Sequence, residues 1–328
     1  MRIIVDGMGG DNAPEAIVKG AVEAVNEYGI DILIAGGEDV IKEELEKHSY
    51  PAEKIQILDA PEIITNDDNP TLAIRRKKNS SMVKGMQALA DGEGDGFISA
   101  GNTGALLAGG IFVVKRIQGI DRAALTVLYP TLRGASLLVD AGANMDTKPE
   151  YLEQFAMMGS IYMEEVMGVK EPRVGLVNVG AEETKGNQLA KDTFMALKGS
   201  NINFIGNIEG RDLPYGAADV MVCDGFVGNV VLKLTEGMAS SIFSILKESF
   251  MADTRSKLGA LLLKPQLKRM KKRLDYREYG GAPLLGTVKP VVKAHGSSDY
   301  YAFKNGIGQL KTFIESDVIG KIENKKSI

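Results

Sequence analysis

Residues 1–37 read MRIIVDGMGGDNAPEAIVKGAVEAVNEYGIDILIAGG, and their pattern of apolar runs and glycines predicts the fold class. An apolar run over 3–6 ends in a glycine-rich turn, helical periodicity follows over 14–28, and a second apolar run over 32–35 ends in two glycines. A strand, a helix and a second strand in this order are typical of a βαβ unit, in which the two strands are parallel. The stretch therefore predicts an α/β protein with a Rossmann-like, three-layer, mostly parallel sheet.

The same alternation continues along the chain. Further strands are predicted at 55–58, 97–99, 137–140, 174–179, 203–205 and 220–224. Small and polar residues follow many of the strands, at 6–12, 99–104, 140–144, 178–180 and 224–229. Because the carboxyl ends of parallel strands share one edge of a sheet, we expect these loops to converge there and form the ligand cleft. No linker divides the chain, so a single domain over 1–328 is predicted, with a helical protrusion at about 240–278.

Composition excludes several classes of protein. A formal net charge of −4 disfavours a nucleic-acid binder. Two histidines and one cysteine are too few for a structural zinc site, and neither a metal nor a cofactor is expected. No stretch reaches the roughly 18 apolar residues that span a bilayer, so a cytoplasmic protein is expected.

Two loops suit an anion. The loop 99–104 contains Asn102, Thr103 and Gly104 before a predicted helix, where backbone N–H groups and the helix dipole attract negative charge. A plain turn capped by Thr103 is the alternative. The loop 224–229 runs from Asp224 to Asn229 at the start of a long helix, with Lys233 one turn later. An amide, a helix N-terminus and an ammonium suit phosphate or a developing oxyanion, although a turn capped by Asn229 explains the pattern nearly as well.

A run of four cations, Arg75 to Lys78, precedes Asn79 and Ser80 and lies where flanking apolar residues predict a helix. Four consecutive cations cannot share one helix face, so at least one is expected to point inward, toward an anion or a carboxylate. A solvated charge run is the alternative.

His295 lies in a segment of small residues and is a candidate proton donor to a leaving thiolate, or a phosphate ligand. A structural histidine is equally compatible with this pattern. Cys223 ends an apolar run, which favours a buried thiol over a nucleophile.

Leucines and cations combine over 258–273, a composition typical of a helix on an anionic membrane or of a surface that docks an acidic protein. A dimer-interface helix with a charged rim is the alternative. The candidate surface residues are Leu258, Leu261, Leu262, Lys264, Lys268, Arg269, Lys271, Lys272 and Arg273.

Taken together, five motifs resemble the phosphate acyltransferase (PlsX) family, in the family's order and over nearly the whole chain. They are DGMGGDNAP at 6–14, RKKNSSM at 76–82, ISAGNTGA at 98–105, DGF with GNV at 224–230, and KAHGSS at 293–298. The opening motif departs from the family's, because Gly7 and Asn12 stand where alanine and histidine are common. No histidine is therefore available there for proton transfer.

The resemblance implies transfer of a long-chain fatty acyl group from acyl carrier protein to inorganic phosphate, which supplies acyl phosphate for phospholipid synthesis. It also implies a homodimer, a fold similar to the isocitrate/isopropylmalate dehydrogenase and phosphotransacetylase group, and delivery of the product to a membrane glycerol-3-phosphate acyltransferase. The protein is then expected at the inner face of the cell membrane.

Phosphate is itself a nucleophile, so the hypothesis is direct attack on the thioester. Phosphate binding is assigned to Lys77, Lys78, Asn79 and Ser80 together with the turn 102–104. Oxyanion stabilisation or proton delivery is assigned to Asn229, Lys233 and His295. Three rival functions are a coenzyme A phosphotransacetylase, a nicotinamide dehydrogenase, which lacks its G-x-G-x-x-G fingerprint here, and a non-catalytic membrane scaffold.

Overall fold

The computed structural model describes residues 1–273, 278 and 280–325, with the backbone alone for 271–273. In this part of the chain the strands form one sheet in the order β3-β2-β1-β4-β11-β10-β5-β6-β9-β7-β8. The strands are β1 (Arg2–Asp6), β2 (Asp31–Gly36), β3 (Ile55–Asp59), β4 (Gly96–Ser99), β5 (Ala124–Thr131), β6 (Gly134–Val139), β7 (Val174–Asn178), β8 (Phe204–Glu209), β9 (Val220–Val222), β10 (Gly281–Leu285) and β11 (Val291–Ala294). The helices are α1 (Glu15–Tyr28), α2 (Glu38–Leu45), α3 (Pro70–Arg76), α4 (Ser81–Ala90), α5 (Thr103–Gly109), α6 (Pro149–Glu165), α7 (Gln188–Gly199), α8 (Gly225–Met251), α9 (Thr254–Arg273), α10 (Tyr300–Glu315) and α11 (Val318–Lys325).

Alternation along β1 shows how helices cover both faces of the sheet. Ile3 and Val5 pack in a core cluster with α1, α6 and α10, whereas Ile4 packs in a second cluster with α4 and α5. Successive residues of a strand point to opposite faces, so this fully buried run needs a helical layer on each side. Gly20 lets α1 approach α10, because a Cβ there would lie 2.8 Å from the backbone oxygen of Tyr300. The predicted α/β fold with a mostly parallel sheet is confirmed.

The sheet has two parallel halves that run in opposite directions. The first half pairs β3, β2, β1, β4 and β11 in parallel. The second half pairs β6, β9, β7 and β8 in parallel. Between them β10 is antiparallel to both β11 and β5, and β5 is antiparallel to β6. The expectation that all strand-end loops share one edge is therefore wrong, because three antiparallel pairings reverse the second half.

Other local expectations also need correction. The strands β5, β10 and β11 lie in segments for which no strand was predicted. The single helix expected around the cation run is instead two helices, since α3 ends at Arg76 and α4 begins at Ser81. Beyond its first turns α8 leaves the sheet and contacts α9, so the predicted protrusion is a helical hairpin in the described residues. Its predicted end, 274–277, lies outside them, and the single-domain organisation stays a prediction.

Candidate functional site

A cleft of about 420 Å³ opens where the two halves of the sheet meet. β10 pairs with β5 only through Leu284 with Leu125 and Leu285 with Ala124. Beyond these pairs the two strands are not paired with each other, and residues such as Val127 of β5 and Ala282 of β10 line the cleft between them. The antiparallel seam that reverses the sheet therefore also creates the cavity.

Loops of the first half of the sheet form one wall of the cleft. β1, β4 and β11 are neighbours in the sheet, and Thr103, Gly104 and His295 from the loops after β4 and β11 line the cavity. The loop after β1 supports this wall from outside, because the N–H of Asp11 donates to the carbonyl of Gly296 at 2.8 Å. Of the loops predicted to converge, 99–104 lines the cleft and 6–12 supports its wall, whereas the loop after β11 follows a strand that was not predicted.

Asn12 is part of that support. Its side-chain amide donates to the carbonyl oxygens of Ser297 and Ser298, each at 3.2 Å. Asn12 is not among the residues that line the cleft. At this position the amide positions the segment that follows His295 through hydrogen bonds to its backbone.

The second half contributes the loop after β6 and the first turns of α8. Gly142, Asn229, Lys233 and Glu236 line the cleft, and the Lys233 ammonium donates to a Glu236 carboxylate oxygen at 2.8 Å. In contrast, the predicted loop at 178–180 is not part of the lining.

Asp140 builds the loop that carries Gly142. Its buried carboxylate accepts five N–H bonds, from Leu125, Gly142, Ala143 and twice from Asn144. The helix α8 packs directly on this loop. A Cβ on Gly228 would overlap the carbonyl oxygen of Asp140, so only glycine permits this approach and brings Asn229 beside Gly142.

Ser297 contacts the Nδ1 atom of His295 twice. Nδ1 accepts a hydrogen bond from the backbone N–H of Ser297 at 3.2 Å and lies 2.8 Å from the Ser297 hydroxyl, which can donate to it, so this arrangement favours the neutral tautomer with its proton on Nε2. Burial lowers the pKa of His295, and the charges of Lys233 and Lys293 act in the same direction, while Glu236 opposes them. At neutral pH the ring is therefore a neutral hydrogen-bond donor in the wall of the cleft.

Two buried charged residues of this region were not predicted as site residues from the sequence. Asp6 is 1% exposed and accepts a hydrogen bond from the Ser99 hydroxyl at 2.6 Å. Lys293 is 7% exposed and lines the cleft. Burial raises the pKa of Asp6 and lowers that of Lys293 to about 8. The available signal was a charged residue at the end of an apolar strand, as in IIVD and VVKA.

Asn102 and Asp224 cap helices. The Asn102 side-chain oxygen accepts from the N–H of Ala105 at 2.9 Å, so Asn102 rather than Thr103 caps α5. Asp224 accepts from the N–H of Val227 at 2.8 Å and caps α8, so Asn229 is not the cap. Neither capping residue is in the cleft lining, and their catalytic or substrate-binding roles stay predictions.

The cation run lies away from the cleft. The Lys77 ammonium contacts Asp68 at 2.6 Å, which satisfies the expectation of a carboxylate partner. Lys78 and Asn79 are exposed, and Ser80 is buried as the cap of α4. None of Lys77 to Ser80 lines the cleft, and their role in phosphate binding stays a prediction.

Cys223 is buried, as predicted, and its Sγ lies 3.6 Å from the carbonyl oxygen of Asp140. Burial raises its pKa well above the ordinary value, so the group is a protonated thiol at neutral pH. Cys223 therefore cannot act as a thiolate nucleophile.

The hairpin of α8 and α9 exposes apolar side chains. Leu258, Leu261 and Leu262 are each more than 60% exposed on α9. Lys264, Lys268 and Arg269 are exposed on the same helix, whereas the side chains of Lys271, Lys272 and Arg273 lie outside the described residues. In the described ranges no helix has the length and apolarity needed to cross a bilayer.

Comparison with known proteins gives a consistent result. A family model described as "Fatty acid synthesis protein" matches residues 1–321. The chain is 55% identical to the phosphate acyltransferase of Alkaliphilus oremlandii, over 98% of this chain and 96% of that protein. It is 52% identical to the phosphate acyltransferase of Clostridium acetobutylicum, over 99% of this chain and 98% of the relative.

Solved structures resemble the fold at low sequence identity. A phosphotransacetylase from Streptococcus pyogenes superposes with a TM-score of 0.62 at 16% identity, covering 95% of this chain and 94% of that chain. A 4-hydroxythreonine-4-phosphate dehydrogenase from Klebsiella pneumoniae superposes with a TM-score of 0.54 at 14% identity, covering 96% and 99%. These similarities concern the fold alone.

Proposed function

The chain belongs to the phosphate acyltransferase family, and from this membership we propose that it transfers a long-chain fatty acyl group from acyl carrier protein to inorganic phosphate. The protein is an enzyme of fatty acid and phospholipid synthesis, a phosphate acyltransferase. One observation carries the finer proposal: a single cleft combines an apolar wall, which includes Leu107 and Leu128, with the polar groups of Asn229 and His295. An acyl chain and an anion can therefore meet in one cavity.

The proposed reaction needs no acyl-enzyme. An oxygen of HPO4²⁻ attacks the thioester carbonyl carbon, a C–O bond forms, the C–S bond breaks, and the leaving thiolate takes the proton that the phosphate carried. The Nε2–H of neutral His295 donates a hydrogen bond to the developing oxyanion and keeps its proton, and the Asn229 amide is a second donor. The backbone N–H groups of Thr103 and Gly104 at the start of α5 add positive potential.

The test is release of carrier-protein thiol from long-chain acyl carrier protein, measured with and without phosphate, with the acyl phosphate trapped by hydroxylamine. We expect His295→Asn to reduce phosphate-dependent release about 100-fold, while His48→Asn, a matched change outside the cleft, leaves it unaltered. Equal activity of the two variants would remove His295 from the scheme. Faster reaction with acetyl coenzyme A than with acyl carrier protein would instead identify a phosphotransacetylase.

The variant Lys78→Ala tests whether Lys78 binds phosphate. The sequence motif predicts that Lys78 binds phosphate, whereas the exposed position of Lys78 outside the cleft predicts unchanged activity. A raised KM for phosphate would support the motif assignment, and wild-type kinetics would exclude it.

We assign membrane and carrier-protein docking to α9. Exposed leucines beside exposed cations suit insertion at an anionic surface, and the same cations suit the acidic acyl carrier protein. Docking at the inner face of the cell membrane places the product beside a membrane glycerol-3-phosphate acyltransferase. Flotation with anionic and with zwitterionic vesicles tests this assignment: Leu262→Asp is expected to abolish binding to anionic vesicles, and retention of that binding would contradict it.

The homodimer proposal is supported by α8. Leu234, Met238, Ile242 and Ile245 form an exposed apolar stripe at helical spacing. A second copy would cover this stripe. Sedimentation analysis is expected to give a dimer for the wild type and for Glu248→Ala, and a monomer for Ile242→Asp; a dimeric Ile242→Asp protein would place the interface elsewhere.

A further inference from the structure

Lys293 is a buried cation in the wall of the cleft. It lies in β11 at the register position beside Ser99 of β4, close to the carboxyl end of both strands. Its ammonium donates to the carbonyl oxygen of Ala100 at 3.1 Å and to the carbonyl oxygen of Ala294. The side chain is only 7% exposed, yet it lines the cleft.

The charge of Lys293 has no ion-pair partner among residues 1–273, 278 and 280–325, where no carboxylate lies within 4.0 Å of its nitrogen. Asp6 and Asp11 act on it at longer range, and the Asp6 carboxylate is hydrogen-bonded to Ser99. An ammonium has three N–H donors, and the two carbonyl oxygens use two of them. Burial of a cation without an anion is unfavourable, so this position is suited to an anion that enters from the cleft.

Other lysines near the proposed site are already paired. Lys233, the second lysine of the lining, donates to Glu236 at 2.8 Å and its side chain is 56% exposed. Lys77 is paired with Asp68 outside the cleft. Lys293 therefore combines burial and access to the cleft with the lack of an ion-pair partner within 4.0 Å in the described residues.

We propose that Lys293 is a catalytic residue whose ammonium binds the inorganic phosphate that attacks the thioester. This inference rests on the proposed function and adds a residue to it. The phosphate dianion approaches with its charge neutralised in part by Lys293, an oxygen not held by the ammonium forms the bond to carbon, and the lysine stays protonated throughout. The remaining proton of the attacking HPO4²⁻ passes to the departing thiolate, so the products are the carrier-protein thiol and an acyl phosphate dianion.

Asp6 is a positioning residue in this arrangement. The Ser99 hydroxyl donates to Asp6 and accepts from the N–H of Gly101, which fixes the turn that presents the Ala100 carbonyl to Lys293. Asp6 thereby acts through the backbone and through its charge, without contacting substrate.

The experiment measures phosphate binding and turnover on the full chain. Lys293→Gln keeps a donor for one carbonyl and removes the charge, Lys293→Arg keeps the charge, and Lys54→Gln is the control, since Lys54 lies ahead of β3 and pairs with Asp31 away from the cleft. Inorganic phosphate is titrated by calorimetry without acyl donor. Steady-state rates are then measured with varied phosphate and with varied acyl carrier protein, and circular dichroism verifies folding.

For Lys293→Gln we expect loss of measurable phosphate binding and a fall of about 100-fold in kcat/KM for phosphate, with KM for the acyl donor changed by less than about threefold. Lys293→Arg should bind phosphate more weakly than wild type and more tightly than Lys293→Gln. Wild-type phosphate affinity in a folded Lys293→Gln protein would overturn the inference, as would an equal loss in both KM values. If Lys293→Gln does not fold, wild-type phosphate binding by Lys293→Met or no binding by Lys293→Arg overturns it instead. If wild type binds phosphate through Lys293 but does not react with acylated acyl carrier protein, the proposed acyl donor is wrong, while the assignment of Lys293 to phosphate binding is retained.

Discussion

Replacing Lys293 by methionine should change how the stability of the protein depends on pH. Burial lowers the pKa of this lysine from 10.5 to about 8. Between these values the unfolded chain holds a proton that the folded protein has released, so the free energy of unfolding rises with pH in that window. Below pH 8 both states are protonated, and the burial penalty is present in full.

The magnitude follows from the shift. One pKa unit corresponds to about 1.4 kcal/mol, so a shift of this size gives a penalty of about 3 kcal/mol at pH 7, most of which is relieved by pH 10. Lys293→Met removes the penalty and also removes the hydrogen bonds from the ammonium to the carbonyls of Ala100 and Ala294, at a cost of about 1–3 kcal/mol each. The two lost bonds cost about 2–6 kcal/mol in total against about 3 kcal/mol relieved, so at pH 7 we expect the variant to range from slightly more stable to about 3 kcal/mol less stable than wild type.

The difference between the two proteins is the informative quantity. Urea unfolding of wild type and Lys293→Met is measured at pH 7, 8, 9 and 10 and at one protein concentration. In the difference between the two free energies of unfolding, the contribution of every group that titrates equally in both proteins cancels. The free energy of unfolding of wild type minus that of the variant should increase by about 2–3 kcal/mol between pH 7 and pH 10. The charged groups that act on Lys293 are Asp6 from β1, Asp11 from the following loop, and Lys233 from α8. The titratable side chain of His295 lies two residues after Lys293 in the chain.

A difference that stays constant from pH 7 to pH 10 would contradict the expected pKa shift, because it would mean that Lys293 titrates alike in the folded and unfolded states. A difference that moves in favour of the variant would mean that the folded protein binds the proton more tightly. Either result would require an anionic partner at the ammonium.

Three further outcomes are expected. Asp6→Asn removes a negative charge that favours the Lys293 ammonium, so the loss of phosphate binding with rising pH should begin at lower pH than in wild type; a calorimetric pH series measures it, and an unchanged midpoint would contradict it. Gly228→Ala should lower the melting temperature strongly or prevent folding, because a methyl group would overlap the carbonyl that follows β6, whereas Gly237→Ala in the same helix meets open space and should raise stability by up to about 1 kcal/mol. Cys223→Ala should keep phosphate-dependent thiol release within about twofold of wild type, since a buried protonated thiol takes no part in the transfer, and a large loss of activity would reopen the question of a covalent intermediate.

The sequence determined the local structure of the first half of the sheet. The periodicity of residues 1–37 specified β1, α1 and β2 closely, because apolar spacing and glycine turns act over a few residues. The same local signals located the loop after β4 and the start of α8, which supply part of the cleft. The burial of Cys223 also followed from an apolar strand end.

The joining of the two halves and the identity of the buried cation in the cleft depend on contacts between distant parts of the chain. The residue pattern of a strand does not specify whether its partner strand is parallel or antiparallel. The reversal of strand direction through β10 and β5 could therefore not be predicted from the sequence. β10 contains Pro283, which weakens its strand signal. Lys293 reads as an ordinary surface lysine until β4 and β11 pair and bring the Ala100 carbonyl to its ammonium. Pairing direction and burial depend on residues about 190 positions apart, which no local pattern encodes.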